Sequence, residues 1–360
     1  MTDRTTDRMT DEALALLRDL VRQDTTSGGN AAQSAAQELA ISYATATPGV
    51  RLRQRSASGR PWVLLGTGSP DGPLFVCHID TVPVGSLDLW DRAPFSADVD
   101  EEFLHGRGSV DMKGGLVAAL AVLRNAAEAG ADAQVLITSD EEVGCRGAAE
   151  ASAALNLTPR IVVVPEATQN RVSLGHRGAT WLRLAAAGKA AHGSTPHLGR
   201  NAVQLLADRA LGSLGSLPLS TEDYLGEETV NVGTFEGGTA TNIVPASATL
   251  TLDVRTVDGG APAIAWAASL DPAITAEVEL DLPAVRTPSL PDALAGQATA
   301  PAASYFTDAS ALAGSVGGAP IVIWGPGDPR QMHAANEKLE LESWRQALRN
   351  YQDLVLPGAR

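Results

Sequence analysis

Five short, mostly apolar runs constrain this chain more than any other feature, because each is too brief for a helix and has no polar face. They cover residues 62–65, 74–77, 134–138, 161–164 and 319–324, and most are bounded by Gly, Pro or polar turn residues. Runs of this kind read as strands buried on both faces. Between them lie segments with helical spacing. Residues 11–23 place Leu14, Leu17, Leu20 and Val21 on one face. Residues 31–47 form a second helical stretch closed by Pro48, residues 116–129 a third opened by Gly114 and Gly115, and residues 340–354 a last one. Strands that alternate with helices predict an α/β domain with a largely parallel sheet.

The pattern changes near residue 178. Strands are expected at 180–186, 228–235, 249–256 and 275–282, with helices at 201–214 and 262–270. Pro283, Pro288 and Pro291 then mark a return to the first pattern. The expected organisation is a discontinuous α/β domain, residues 1–177 and 288–360, interrupted by an α+β module at 178–287, a size that suits a small domain. With 360 residues and 44% hydrophobic content the chain can bury a sizeable core. Its net charge of -15 disfavours nucleic acid and anionic membrane as partners. No apolar run approaches the roughly 20 residues of a spanning helix. The polar N-terminus lacks a signal-peptide pattern, and two cysteines make no disulfide framework, so the expected location is the cytoplasm.

The residues with chemistry gather at the ends of the strand-like runs. His78 and Asp80 follow the run 74–77, and residues two apart on a strand face the same way. His78 could bind a metal while Asp80 holds its other ring nitrogen, although a buried, hydrogen-bonded histidine would look the same. Asp111 sits in the Gly-rich turn Gly106–Gly115 ahead of a helix, where it could bridge two cations or simply cap the helix. Asp140, Glu141 and Glu142 follow the run 134–138, and Glu166 follows Pro165 at the end of 161–164. Three acids in a row usually mark a solvated loop. Open α/β sheets, however, bind ligands at the carboxyl ends of their strands, which is where these residues fall. His333 follows the last run. Imidazole and carboxylate without thiolate suit zinc, cobalt or manganese. Two ions sharing an Asp could clamp a water and polarise a carbonyl, which points to amide hydrolysis.

Taken together, His78-Ile79-Asp80-Thr81-Val82-Pro83, Trp90, Pro94-Phe95, Gly106-Arg107-Gly108, Asp111-Met112-Lys113-Gly114-Gly115 and Glu141-Glu142 resemble the M20 metallopeptidase family. That family includes acetylornithine deacetylase, succinyl-diaminopimelate desuccinylase, LysW-lysine hydrolase, aminoacylase and carboxypeptidases. The resemblance implies a metallopeptidase-type catalytic domain with a mixed, largely parallel sheet, and an inserted ferredoxin-like lid that also forms a homodimer. It implies that His78, Asp111 and Glu166 hold one divalent ion and that Asp111, Glu142 and His333 hold a second, with zinc expected and cobalt an alternative. Glu141 resembles the general base and Asp80 the residue that orients His78. His192, in Ala191-His192-Gly193-Ser194, resembles a lid histidine that reaches a neighbouring active site and stabilises the oxyanion. Asn242 and Arg255 resemble contacts to a substrate carboxylate, for which an arginine fork is suited. One departure is Pro165, which stands where many relatives have glycine.

The implied substrate is a small N-acyl amino acid or similar amide. The segment Gly325-Pro326-Gly327-Asp328 before His333, with Asn336-Glu337 after it, looks most like acetylornithine deacetylase and LysW-lysine hydrolase. A desuccinylase, an aminoacylase or a peptidase that cuts a C-terminal residue are the alternatives. So is a substrate tethered to a carrier protein. A catalytically silent binding homologue is a further class, but it should lack a ligand or the base, and none is missing. The other histidines read as bland: His105 in a charged surface turn, His176 as a structural contact at the domain junction, His197 near a helix start. Cys77 is expected to pack into the core, and Cys145 has no expected role.

Overall fold

The computed structural model describes residues 2–57 and 59–357, with side chains described from Met9 onward. Along the chain come α1 (Thr2–Val21), α2 (Asn30–Thr45), β1 (Arg51–Arg55), β2 (Val63–Gly66), β3 (Leu74–His78), β4 (Phe103–His105), α3 (Gly114–Ala129), β5 (Gln134–Thr138), α4 (Arg146–Ala154) and β6 (Val162–Ala167). There follow β7 (Gly175–His176), β8 (Gly178–Ala187), α5 (Ala202–Arg209), β9 (Thr221–Glu222), β10 (Gly226–Glu227), β11 (Thr229–Gly237), β12 (Ser247–Thr256), α6 (Ala261–Ala268), β13 (Ile274–Leu282) and β14 (Val285–Arg286). Last come α7 (Ala309–Leu312), β15 (Ile321–Gly325), β16 (Lys338–Glu340) and α8 (Leu341–Val355). The chain divides into two units. The first runs through Gly175 and takes in Arg286–Pro301 and everything from Thr307 on; the second is His176–Val285 with Ala302–Phe306. The short segment 302–306 therefore belongs with the second unit, whereas the sequence reading kept it with the first.

In the first unit a six-stranded sheet has the order β1-β2-β5-β3-β6-β15. β5, β3, β6 and β15 run parallel to one another, and β2 and β1 extend one edge antiparallel. Every residue of β2, β3, β5, β6 and β15 is buried, as expected for strands covered on both faces. Helix α3 packs against α1, α2 and α8, and α8 seats Tyr351 between Phe75 and Trp324 at ring distances of 5.0 and 5.5 Å. His78 pairs in register with Thr138, so the ends of β3 and β5 lie side by side. This shared end is what positions the site.

The second unit is a βαββαβ ferredoxin-like fold. Its antiparallel sheet has the order β11-β12-β8-β13. β8 and β12 alternate buried and half-buried residues, the period-two pattern of a sheet covered on one face. Leu182, Leu184, Leu250, Leu252 and Val254 pack there with Leu206 of α5 and Trp266 of α6. The helix expected over 201–214 is shorter: α5 stops at Arg209 and a 3-10 stretch, Leu211–Ser216, follows. Gly212 and Gly215 in that stretch disfavour a continued α-helix. No helix among the described residues is long and apolar enough to cross a membrane.

Candidate metal centre

The ends of β3, β5 and β6 bring the acidic and imidazole side chains of the first unit together. His78 is the last residue of β3, and Glu166 lies near the end of β6. Glu141 and Glu142 follow β5 in a turn that Asp140 opens with a φ of 54°. Asp111 sits in a tight turn, Ser109–Lys113, with φ/ψ of -117°/93°, outside the helical region. His333 also has a left-handed φ, 62°.

Asp111 lies between the two histidines. Its Oδ1 is 3.1 Å from His78 Nε2, and its Oδ2 is 3.2 Å from His333 Nε2. Glu166 Oε1 is 3.3 Å from His78 Nε2, and Glu142 Oε2 is 3.0 Å from His333 Nε2. Two three-residue groups thus meet at one carboxylate. Donor atoms of His78, Asp111 and Glu142 all lie within 4.8 Å of one another. His78 and the carboxylates are buried, while the His333 side chain is 54% exposed. Glu141 is buried and makes no ion pair among the described residues; the Cys145 thiol lies 3.8 Å from its Oε1.

The run of three acids divides its tasks. Asp140 accepts from the Gly28 N–H at 2.8 Å, Gln33 Nε2 at 3.1 Å and Arg60 Nε at 3.0 Å, which pins the turn to the rest of the unit. Asp80 has a related part. Its carboxylate is 3.6 Å from His78 Nδ1, whereas its backbone carbonyl is 3.0 Å away. The carboxylate instead accepts from Ser27 Oγ at 2.7 Å and from the N–H groups of Glu141 and Glu142 at 3.1 and 3.2 Å. Asp80 therefore ties the end of β3 to the Glu141–Glu142 turn, and the contact to the ring comes chiefly from its carbonyl.

Electrostatics point the same way throughout. Burial opposes charge on His78, but Asp111 and Glu166 outweigh it and hold the ring well above the usual histidine range. Asp111 and Glu142 raise His333 to about 10. Burial, then the Asp111 charge, raises Glu142 to about 7 and also raises Glu166. Burial opposes ionisation of Asp111, yet the two imidazoles keep it below the usual carboxylate range. Burial pushes Glu141 well up. These carboxylates seek positive charge at the point where the two groups meet. Glu142 Oε1 and Glu166 Oε2 are buried and have no hydrogen-bond partner among the described residues. Unsatisfied oxygens in an apolar setting are costly, so the residues present fit bound divalent cations.

Several partners had no sequence signal. Asp308 is buried beside the end of β5, where it accepts from Thr138 Oγ1, and burial raises it to about 7. Ser27 comes from an ordinary polar loop. Glu337, noted only within Asn336-Glu337, is fully buried against the Asp111 turn. His105 pairs with Asp100 at 2.7 Å, His197 is exposed, and His176 is buried and lowered to about 4 by burial. Cys77 is buried, and burial pushes its thiol up.

The remaining candidates lie in the second unit. A bridge between His192 and Ile243 sets His192 beside Asn242, whose carbonyl accepts from the Gly193 N–H at 2.7 Å. Both side chains are exposed. The Ser194 N–H donates to His192 Nδ1 at 3.1 Å, and the Ser194 hydroxyl lies 2.8 Å from the same nitrogen. Arg255 Nε and Nη2 donate to Asp253 Oδ2 at 3.2 and 3.0 Å, so half of the fork is engaged, while its buried Nη1 has no hydrogen-bond partner among the described residues.

Comparison with known proteins bears on this arrangement. Peptidase family M20/M25/M40 matches residues 74–356. A succinyl-diaminopimelate desuccinylase from Parvibaculum lavamentivorans is 33% identical over 242 residues, covering 62% of this chain and 61% of that protein. A probable carboxypeptidase from Aspergillus clavatus is 31% identical over 314 residues, covering 78% of this chain and 68% of that one. The chain thus spans 61% and 68% of the length of these two curated relatives. An M20 family metallo-carboxypeptidase from Sulfolobus solfataricus has the same fold, with a TM-score of 0.76, 19% identity, and coverage of 95% of this chain and 98% of that one. A match over the span that carries both histidines and every carboxylate of the cluster leaves one conclusion: the chain belongs to peptidase family M20/M25/M40.

Proposed function

We propose that the chain is a two-metal amide hydrolase that removes the acyl group from an N-acyl amino acid. One observation carries this reading: Asp111 turns one oxygen toward His78 and the other toward His333, with Glu166 and Glu142 completing the two groups. His78, Asp111 and Glu166 would hold one ion, and Asp111, Glu142 and His333 the other, with zinc expected and cobalt an alternative. When bound, the ions supply Lewis-acid polarisation of the amide carbonyl and a water acidic enough to attack at neutral pH.

The chain's own residues do the rest. Of the adjacent glutamates only Glu142 is paired with an imidazole, which leaves Glu141 to take the water's proton and deliver it to the departing nitrogen. Asp80 holds the backbone of both glutamates and the end of the His78 strand in one arrangement. His192, whose Nδ1 is held by Ser194, is suited to donate from Nε2 to the oxyanion, offered to the active site of a partner in a homodimer. Asn242 and the unpartnered Nη1 of Arg255 are suited to a substrate carboxylate.

Acetylornithine-like and LysW-lysine-like amides are the leading substrates, free or carrier-borne, with succinyl-diaminopimelate next. The likeness to a probable carboxypeptidase over 78% of the chain favours a second reading, in which the acyl group is itself an amino-acid residue. Both readings cut an amide beside a free carboxylate and differ only in the acyl side. Hydrolysis of N-acetylornithine, N-succinyl-diaminopimelate and simple dipeptides by metal-loaded protein separates them. Chelation is expected to abolish turnover and zinc or cobalt to restore it. Full activity in metal-free protein would defeat the reading.

A further inference from the structure

The turn that carries Asp111 satisfies only part of its own backbone. Asp111 and Met112 lie outside helical φ/ψ; the Ser109 and Lys113 N–H groups reach the Gly106 and Gly108 carbonyls, but those of Gly108, Val110 and Asp111 turn to a side chain. A single side chain from far along the sequence takes them up. Glu337 is fully buried, and its Oε1 accepts from the Val110 N–H at 2.8 Å and the Asp111 N–H at 3.2 Å. Its Oε2 accepts from the Gly108 N–H at 3.0 Å and from Arg107 Nη1 at 2.7 Å. The Glu337 carbonyl also accepts from the Gly106 N–H at 2.9 Å, and the next residues, β16, pair with β4. Arg107 is itself buried and lies over the Trp90 ring at 5.3 Å.

We propose that Glu337 is a positioning residue for the metal centre: its carboxylate clamps the Asp111 turn and locks it to the segment that carries His333, four residues earlier. Among the described residues the hydrogen bonds to this side chain come from four donors, and only an ionised carboxylate accepts at both oxygens. A glutamine of the same size would turn an NH₂ group toward Arg107 or a backbone N–H. The carboxylate thereby fixes the two ligands that lie 3.2 Å apart, Asp111 and His333. This proposal rests on the reading that both of them bind metal.

The test compares wild type with Glu337→Gln and Glu337→Asp, the second of which keeps the charge but draws it back by one methylene. Zinc stoichiometry is measured by elemental analysis, zinc affinity by competition with a chromophoric chelator, and Tm on the metal-free proteins. Wild type is expected to hold two ions. Both variants are expected to fold without metal and to bind the weaker ion about tenfold or more less tightly, the scale seen when a residue that supports a ligand is lost. Wild-type affinity for both ions in either folded variant overturns the proposal, even where the metal-free Tm falls. Failure of both variants to fold also overturns it, since Glu337 would then serve the fold alone. A wild-type protein that binds no zinc defeats the metal reading itself, which is a separate outcome.

Discussion

At Glu141 and Glu142 one backbone step separates two environments. Glu142 faces His333 at 3.0 Å, whereas Glu141 makes no ion pair among the described residues. On the proposed function the step divides ligand from base. Glu141→Ala is therefore expected to lower kcat by about 10²–10⁴-fold while two ions remain bound. Elemental analysis alongside the assay checks it, and loss of ions would mean that the two glutamates exchange roles. That these side chains gather was legible because histidine and carboxylates at the ends of apolar strands are unusual in combination. Their supporting partners were not. Ser27 reaches Asp80 across 53 positions and Glu337 reaches Asp111 across 226, and no local spacing encodes such pairs. Asp80 illustrates the limit: its place was readable, but its carboxylate holds the Glu141–Glu142 turn more closely than the ring of His78.

At the scale of elements, periodicity carried the buried strands and the long helices, since both depend on apolar side chains that sequence displays. It did not show β1, whose residues Arg-Leu-Arg-Gln-Arg are all exposed at the sheet edge, where charge discourages further pairing. It also missed α4, in which alanines supply helix propensity without an apolar stripe. Close approach between elements was equally hidden. A Cβ on Gly115 of α3 would lie 2.3 Å from the Pro165 carbonyl oxygen, and one on Gly325 of β15 would lie 2.4 Å from that of Glu166. The two glycines let α3 and β15 close on the strand that presents Glu166, which gives the stiff Pro165 a fitted seat. Gly115→Ala is expected to cost about 1–3 kcal/mol through overpacking and to weaken metal binding as Glu166 shifts. Tm and zinc affinity measure both, with Gly314→Ala as the control, because a Cβ there meets nothing within 4 Å.

At the scale of the whole molecule, the change from buried strands to one-sided strands near residue 178 marked two differently built units. Composition could not reveal that Ala302–Phe306 returns to the second, although Phe306 packs on Trp181 and under Arg255. The second unit presents an exposed histidine, His192, whose Nδ1 accepts from the Ser194 N–H. On the proposed function that histidine works in a partner's active site. Mixed dimers of His192→Ala and Glu141→Ala subunits are then expected to recover activity that neither parent shows, and a mixture as inactive as its parents would refute the sharing.

The single carboxylate between His78 and His333 has a last consequence. On the proposed reading its negative charge is divided between two ions, so the second arrives at a ligand already partly neutralised by the first. Filling is then staggered. As metal became scarce, half-loaded molecules would accumulate ahead of empty ones, and output would fall faster than the amount of bound metal.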